Sequence, residues 1–295
     1  MSDRPRWAAV IVNYEAGTLL TECVESVLAD VAAGPVELVV VDNGSRDGSV
    51  DALQRTHPEV QVVRSPGNVG YARAANLGIA ATRADVIAVL NADTRLQPGA
   101  AGALVGRIDA EARLAAVGPR LKNLDGTDYP SARSIPSTSV AVLHGALGLF
   151  WPRNRFTAQY RQLDAAPDRA RLVDWVSGAA VWLRRAALDD VGGWDERYFM
   201  YLEDVDLCWR LRRSHWEIAY EPAGVVWHVQ GASTARRPYR MLGEHHRSAW
   251  RFARRRYTGA RALLLPFAAV YLGARGALAM GAHAWDARRN ARGTG

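Results

Sequence analysis

The chain has 295 residues, of which 49% are hydrophobic, 23% charged and 8% aromatic, a balance that excludes a disordered tail, a collagen and a disulfide-stapled miniprotein. Cys23 and Cys208 are the only cysteines and form no C-x-x-C or Cys/His cluster, which points to a reducing compartment. The net charge of +7 is uneven: thirteen arginines against Glu244 and Asp286 lie from Arg236 onward, so a slightly acidic body carries a basic tail suited to an anionic surface.

Residues 7–13 read as a short β-rich run that ends in polar Asn13 and Tyr14, with no apolar stretch of signal-peptide length before them. Leu20, Cys23, Val24, Val27 and Leu28 then fall on one helical stripe over residues 19–30. Residues 36–41 (VELVVV) form a buried strand that stops abruptly at Asp42, Asn43, Gly44 and Ser45. A helix over 49–56, a strand over 60–64, a helix over 72–81 and a strand over 86–90 follow. Strands that are apolar throughout and alternate with helices predict an α/β fold, a mostly parallel sheet covered on both faces. The polar clusters all fall at strand ends, the edge where open α/β sheets bind ligands.

The middle is less regular. Residues 121–140 are rich in turn formers, residues 140–151 (VAVLHGALGLFW) are apolar, and Arg153, Arg155, Arg161, Arg169 and Arg171 follow in a polar stretch. Order returns over 173–183, and residues 204–212 read as a helix. From about Tyr239 the tail reads as basic, amphipathic and helical. It includes thirteen uncharged, largely apolar residues (262–274) containing Pro266 and closed by Arg275. A spanning helix needs roughly 20 apolar residues, so helices lying in a membrane interface are the expectation. Residues 140–151 are a second candidate for lipid contact, or else a core helix. The tail's aromatics are mixed with long apolar runs, unlike a nucleic-acid stacking platform, so no nucleic-acid partner is expected.

No P-loop is present, and no G-x-G-x-x-G follows the first strand, which excludes a P-loop nucleotidase and counts against a dinucleotide dehydrogenase. Carboxylates at strand ends remain. Asp42 can accept hydrogen bonds from a base or ribose, or it can cap an Asx-turn. Asp93, two residues after Asn91, stands where a hard divalent cation bridging a diphosphate needs an oxygen ligand; a plain loop aspartate is the alternative. Residues 192–212 (GGWDERYFMYLEDVDLCWRLR) set Glu203, Asp204 and Asp206 beside Trp194, Tyr198, Phe199 and Tyr201. Acids at a helix start serve as ordinary caps, and a carboxylate desolvated by aromatics also gains the raised pKa of a general base. His228 follows a strand at 224–227, and taken alone reads as structural.

The ordered set VVVDNGSRDGS (39–49), NVGYARAANLG (68–78), LNADT (90–94), SGAAVWLRR (177–185), GGWDERYFMYLEDVDLCWR (192–210) and HVQGAS (228–233) resembles family 2 glycosyltransferases of the GT-A fold, in particular the rhamnosyltransferase branch. The resemblance covers about residues 7–235, and it implies a nucleotide-sugar half (1–120), an acceptor half (121–235) and a membrane-associating helical extension (236–295). It implies that Asn13, Tyr14, Glu15, Asp42 and Asn43 line the nucleotide pocket. Asn68, Gly70, Arg73, Asn76, Asn91 and Ala92 would border the donor's diphosphate and sugar. Asp93 matches the last residue of the family's metal-binding D-x-D, whose first position is Asn91 here, and His228 matches a histidine that completes the metal site in some relatives. Asp204, beside Glu203, matches the catalytic base, and Trp194 and Asp195 would face the acceptor. The implied reaction is an inverting transfer needing Mg²⁺ or Mn²⁺. The donor would be dTDP-L-rhamnose, or UDP-galactofuranose or UDP-N-acetylglucosamine, and the acceptor a lipid-linked sugar at the cytoplasmic membrane face. A non-catalytic nucleotide-sugar or polyanion-binding module is the alternative from another class.

Overall fold

A computed structural model describes residues 5–135, 151, 154, 166–229 and 238–293. The apolar segment 140–150, Arg153, Arg155, Arg161 and residues 230–233 lie outside the described residues.

Strand β1 (Trp7–Asn13) is buried along its whole length because it is sandwiched between strands and covered on both faces. It pairs in parallel with β2 (Val36–Asp42) on one side and β4 (Val86–Asn91) on the other, and β3 (Gln61–Arg64) extends the sheet beyond β2. The register sets Asn13 opposite Asp42 and Val12 opposite Asn91, so three strands deliver their polar ends to one line. Alternation along β1 sorts the core. Trp7, Ala9 and Ile11 pack with Leu20, Val24 and Val27 of α1 (Leu19–Ala29) and with Leu53 of α2 (Ser49–Thr56). Val10 and Val12 face α3 (Tyr71–Ala80) instead. The small residues of α3 have a reason: a Cβ on Gly78 would lie 2.2 Å from Val10 Cγ1, so the helix lies directly on the sheet.

Beyond β4 the sheet becomes mixed. The chain continues through β5 (Thr94–Leu96), α4 (Ala100–Ala110), β6 (Leu114–Lys122), β7 (Asp128–Tyr129), β8 (Ala132–Arg133), β9 (Arg171–Leu172) and β10 (Trp175–Val176). It then forms β11 (Ala180–Arg184), α5 (Arg185–Val191), α6 (Glu203–Arg213) and β12 (Glu217–His228). The main sheet runs β3-β2-β1-β4-β11-β6-β12-β5. β11 is antiparallel to both β4 and β6, β12 is parallel to β6, and β5 returns antiparallel to β12. The parallel half is the one the continuous apolar runs predict. The mixed half contains α4, β5 and β6, which the motif pattern does not announce.

The tail forms α7 (Pro238–Arg256), a 3-10 segment (Gly259–Leu264) and α8 (Leu265–Gly293). Helix α7 docks on the body. Phe252 is buried with its ring edge-on to Trp209 (6.1 Å between centroids), and Ser248 Oγ donates to Met200 O (2.9 Å). Pro266 sits in the first turn of α8, where its missing N–H costs no helical hydrogen bond.

Candidate active site

Two clefts open at the carboxyl ends of the strands. The first is lined by Tyr14, Asn43, Asn68, Gly70, Asn91 and Ala92, together with Phe199, Arg240 and Met241. The second is lined by Tyr129, Arg133, Trp175, Gly178, Glu203, Asp204, His228 and His245 among others. Tyr71, Asn91, Asp93 and Met200 line both, so the clefts share a wall.

Beside the first cleft lies a polar lattice, of which Asn43 lines the cleft while Asn13 and Asp42 do not. Asn13 is fully buried and donates from Nδ2 to Ser45 Oγ (3.1 Å) and Ser49 Oγ (3.0 Å). Asp42 Oδ1 accepts from the N–H of Ser45, three residues on (2.9 Å), which caps the turn, and Oδ2 lies 3.5 Å from Arg64 Nη1. Asn43 accepts from the Val69 N–H (2.9 Å) and ties strand β2 to the loop that carries Asn68. Gly70, at φ +90°, leaves no room for a side chain: a Cβ would stand 2.7 Å from Phe199 O, which instead accepts from the Tyr71 N–H (2.8 Å). That close approach brings the 198–206 segment against the donor loop. Glu15, at φ 53°, donates its N–H to Ser45 Oγ and is not among the residues lining either cleft.

Asp93 and His228 are distant in sequence and are joined by strand pairing. β5 starts at Thr94, which pairs with His228 at the end of β12, and the Val229 N–H donates to Asp93 O (2.9 Å). His228 Nε2 lies 3.3 Å from Asp93 Oδ1. Asp93 Oδ1 and His228 Nδ1 are buried and have no hydrogen-bond partner, so this pair has unspent ligating capacity. Among the described residues no third His, Cys, Asp or Glu joins them. The chemistry of this oxygen–nitrogen pair fits a divalent cation, which would need further ligands from outside the described residues.

Across the shared wall lies the acid pair. Tyr201 and Leu202 both hold left-handed backbones (φ 68° and 62°), a strained turn that throws Glu203 and Asp204 into the cleft. Asp204 Oδ2 accepts from the Gly178 N–H (3.0 Å) and Oδ1 from the Val205 N–H (2.8 Å). Burial raises both carboxyls, but the two N–H groups and the Arg133 charge counter it at Asp204. Glu203 has neither relief: burial, then the charge of Asp204, pushes it up to about 8, and its Oε2 is buried without a partner. Of the two acids, Glu203 is the one left without a hydrogen-bond partner, while both Asp204 oxygens accept backbone N–H groups. The Tyr71 hydroxyl, driven up by burial and by these carboxylates, stays a donor, to Gly178 O (2.6 Å).

This carries a stability signature. The unfolded Glu203 titrates near 4.5 and the folded one near 8, so the folded state binds more protons across that window and stability falls as pH rises through it. A melting-temperature series from pH 5 to 8.5 is expected to decline for the wild type and to flatten for Glu203→Gln. Parallel slopes for the two proteins would contradict the assignment.

Besides Asn13, Glu15 and Asp42, four expected site residues stand outside the lining of the clefts. Arg73 is exposed and lies 3.6 Å from Glu196. Asn76 clamps Trp194 instead, donating to its O (2.9 Å) and accepting from its N–H (3.0 Å). Trp194 is buried, edge-on to Tyr71 at 5.8 Å, so it buttresses the wall from behind. Asp195 pairs with Arg197 and Arg255, which against its burial hold its carboxyl down at about 2. All four follow from one cause: the 193–197 loop folds onto α3 and the tail. Conversely Tyr71, Arg133, Arg240 and His245 line the clefts without a sequence signal beyond residue type.

The fold is that of the GT-A glycosyltransferases. A mannosyltransferase from Pyrobaculum calidifontis, solved with GDP-Man and Mn²⁺, superposes with a TM-score of 0.59 over 96% of this chain and 81% of that one, at 18% identity. GalNAc-T7, solved with UDP, GalNAc and Mn²⁺, gives a TM-score of 0.56 over 76% of this chain and 43% of that one, at 18% identity. The model of glycosyl transferase family 2 matches residues 8–191, and the chain belongs to that family; it is a glycosyltransferase. The N-acetylglucosaminyl-diphospho-decaprenol L-rhamnosyltransferase of Mycobacterium tuberculosis is 39% identical over 261 residues, 85% of this chain and 84% of that protein. The pre-mycofactocin glycosyltransferase of the same species is 32% identical over 65% of this chain and 37% of that protein.

Proposed function

We propose that the protein transfers L-rhamnose, with inversion, from dTDP-L-rhamnose to an N-acetylglucosaminyl-diphospho-polyprenol at the cytoplasmic face of the cell membrane. The observation that carries this is the juxtaposition of two clefts across one wall, with the Asp93–His228 pair and the Asp204 carboxylate both facing it, in a chain alike along most of its length to a rhamnosyltransferase. The first cleft takes the donor. Asn13, Asp42 and Asn43 hold the lattice beside it rigid, while Asn68, Gly70 and Asn91 border the phosphates and sugar. Asp93 and His228 would hold Mg²⁺ or Mn²⁺, which supplies positive charge where the leaving diphosphate becomes more anionic. Asp204 removes the proton from the attacking hydroxyl in the second cleft. One displacement from the face opposite the leaving group inverts the anomeric carbon, and no nucleophilic side chain is needed.

The membrane surface comes from α8. Residues 259–281 are long and apolar enough to cross a membrane, with mean hydropathy 1.6 and only 6% of the stretch buried. Leu263, Phe267, Val270 and Leu278 are exposed on it. Interior Arg275 and Arg261 at the start favour an interfacial helix over a span, since a charge at the bilayer centre costs about 3 kcal/mol.

The test is a donor screen. Full-length protein in detergent with Mn²⁺ or Mg²⁺ is titrated with dTDP-L-rhamnose, UDP-galactofuranose and UDP-N-acetylglucosamine, following binding and slow hydrolysis. Selective, metal-dependent use of dTDP-L-rhamnose is expected. Preference for a UDP-sugar would overturn the rhamnose assignment, and no binding to any would turn the reading toward a non-catalytic module.

A further inference from the structure

We propose that Arg240, carried into the donor cleft by the tail helix, binds the diphosphate of the nucleotide; this rests on the donor reading above. Among the residues lining that cleft, Arg240 is the one basic side chain. The expected candidate, Arg73, is turned outward onto Glu196. Arg64, at the end of β3, is engaged with Asp42 and Gln54. A nucleoside diphosphate brings about three negative charges into a cleft that already holds Asp93, and one divalent ion does not neutralise them. A guanidinium meets that need with two parallel N–H donors.

Arg240 is placed and left available for it. Its guanidinium carbon lies 4.9 Å from the centroid of Phe199, which lines the same cleft, a cation–π contact that uses up none of its hydrogen bonds. No carboxylate pairs with it among the described residues. Three other arginines of α7 are otherwise engaged, and none of them lines the cleft: Arg247 with Glu244, Arg251 with Arg197 O, and Arg255 with Asp195 and Asp206. Phe199 is also the residue whose carbonyl accepts from the Tyr71 N–H beside Gly70, so the ring that supports Arg240 is locked to the donor loop. The basic tail thus contributes to the donor site as well as to any surface it meets.

Affinities of the full-length protein for dTDP, dTMP and thymidine, measured with Mn²⁺ present, test this. Arg240→Gln is expected to weaken dTDP by roughly 10- to 100-fold, the loss typical of a charge-assisted hydrogen bond, and to leave thymidine within about twofold. Arg240→Lys should recover part of the loss, and Arg247→Gln should have no effect. An Arg240→Gln protein that binds dTDP like the wild type overturns the assignment. An equal loss for thymidine also overturns it, since that would mean a deformed pocket rather than a missing phosphate ligand. Wild-type protein that binds none of the three overturns both this assignment and the donor reading.

Discussion

Asp204→Asn is expected to cut turnover by roughly 10³-fold while nucleotide affinity stays within about twofold of the wild type. The expectation follows from how the carboxylate is held. Each oxygen accepts one backbone N–H, from Gly178 and Val205, and keeps a second lone-pair direction for the acceptor hydroxyl. Burial raises Asp204, and those N–H groups and the Arg133 charge oppose it, while burial and the Asp204 charge push Glu203 up to about 8. Asparagine offers no base, and its NH₂ must face one of the two N–H donors, which costs about 1 kcal/mol of stability. The first cleft, proposed above for the nucleotide, is not lined by Asp204, so nucleotide binding is the internal control. Glu203→Gln replaces the acid by a neutral isostere and should retain most activity. Loss of turnover in Glu203→Gln with survival in Asp204→Asn would transfer the base role to Glu203. Equal loss of turnover and of nucleotide binding in Asp204→Asn would contradict the base assignment altogether.

The parts of the site legible in the sequence are those fixed by strand ends. Asn13, Asp42, Asn91 and Asp93 sit where apolar runs stop, and a parallel register of β1, β2 and β4 is enough to gather them. The Glu203–Asp204 pair was legible for a similar reason, being the start of a helix in an aromatic setting. What sequence pattern does not carry is which loop folds onto which element. Arg73 and Asn76 lie on α3, close in sequence to Asn68 and Gly70, but the helix turns them toward the 193–196 loop. Trp194 and Asp195 belong to that loop, and they hold it against α3 and α7 rather than meeting a ligand. The mixed half of the sheet was hidden because β6 follows α4 in a stretch where glycine, proline and arginine interrupt the apolar pattern. Most of all, a basic amphipathic helix reads as a surface binder from composition alone. Only packing reveals that one face of α7 is occupied by the body.

That packing sets the second large effect. A chain ending after Tyr257 and a chain ending before α7 should behave differently, although both lack α8 and both should leave the membrane. The first keeps Arg240 and Met241 at the first cleft and His245 at the second, where His245 sits edge-on to Tyr201 at 5.6 Å. The second removes all three and unties the 195–206 segment. Ser248 no longer holds Met200 O, and Arg255 no longer bridges Asp195 to Asp206, which is fully buried and retains only Arg210 and Tyr198. Removing one partner of a buried ion pair costs about 3–5 kcal/mol when nothing replaces it, and less here because Arg210 remains. Arg255→Met alone is therefore expected to cost about 2 kcal/mol and to lower the melting temperature by roughly 4–8 °C. With the strained Tyr201–Leu202 turn released, Glu203 and Asp204 lose their placement, and turnover in detergent should vanish. Turnover by the chain ending after Tyr257 should persist under the same conditions. Equal activity of the two truncated proteins, measured by donor hydrolysis in detergent, would show α7 to be a membrane element only. Loss of both would mean that α8, through the Arg275 contact to His246 at 3.4 Å, is needed to keep α7 on the body.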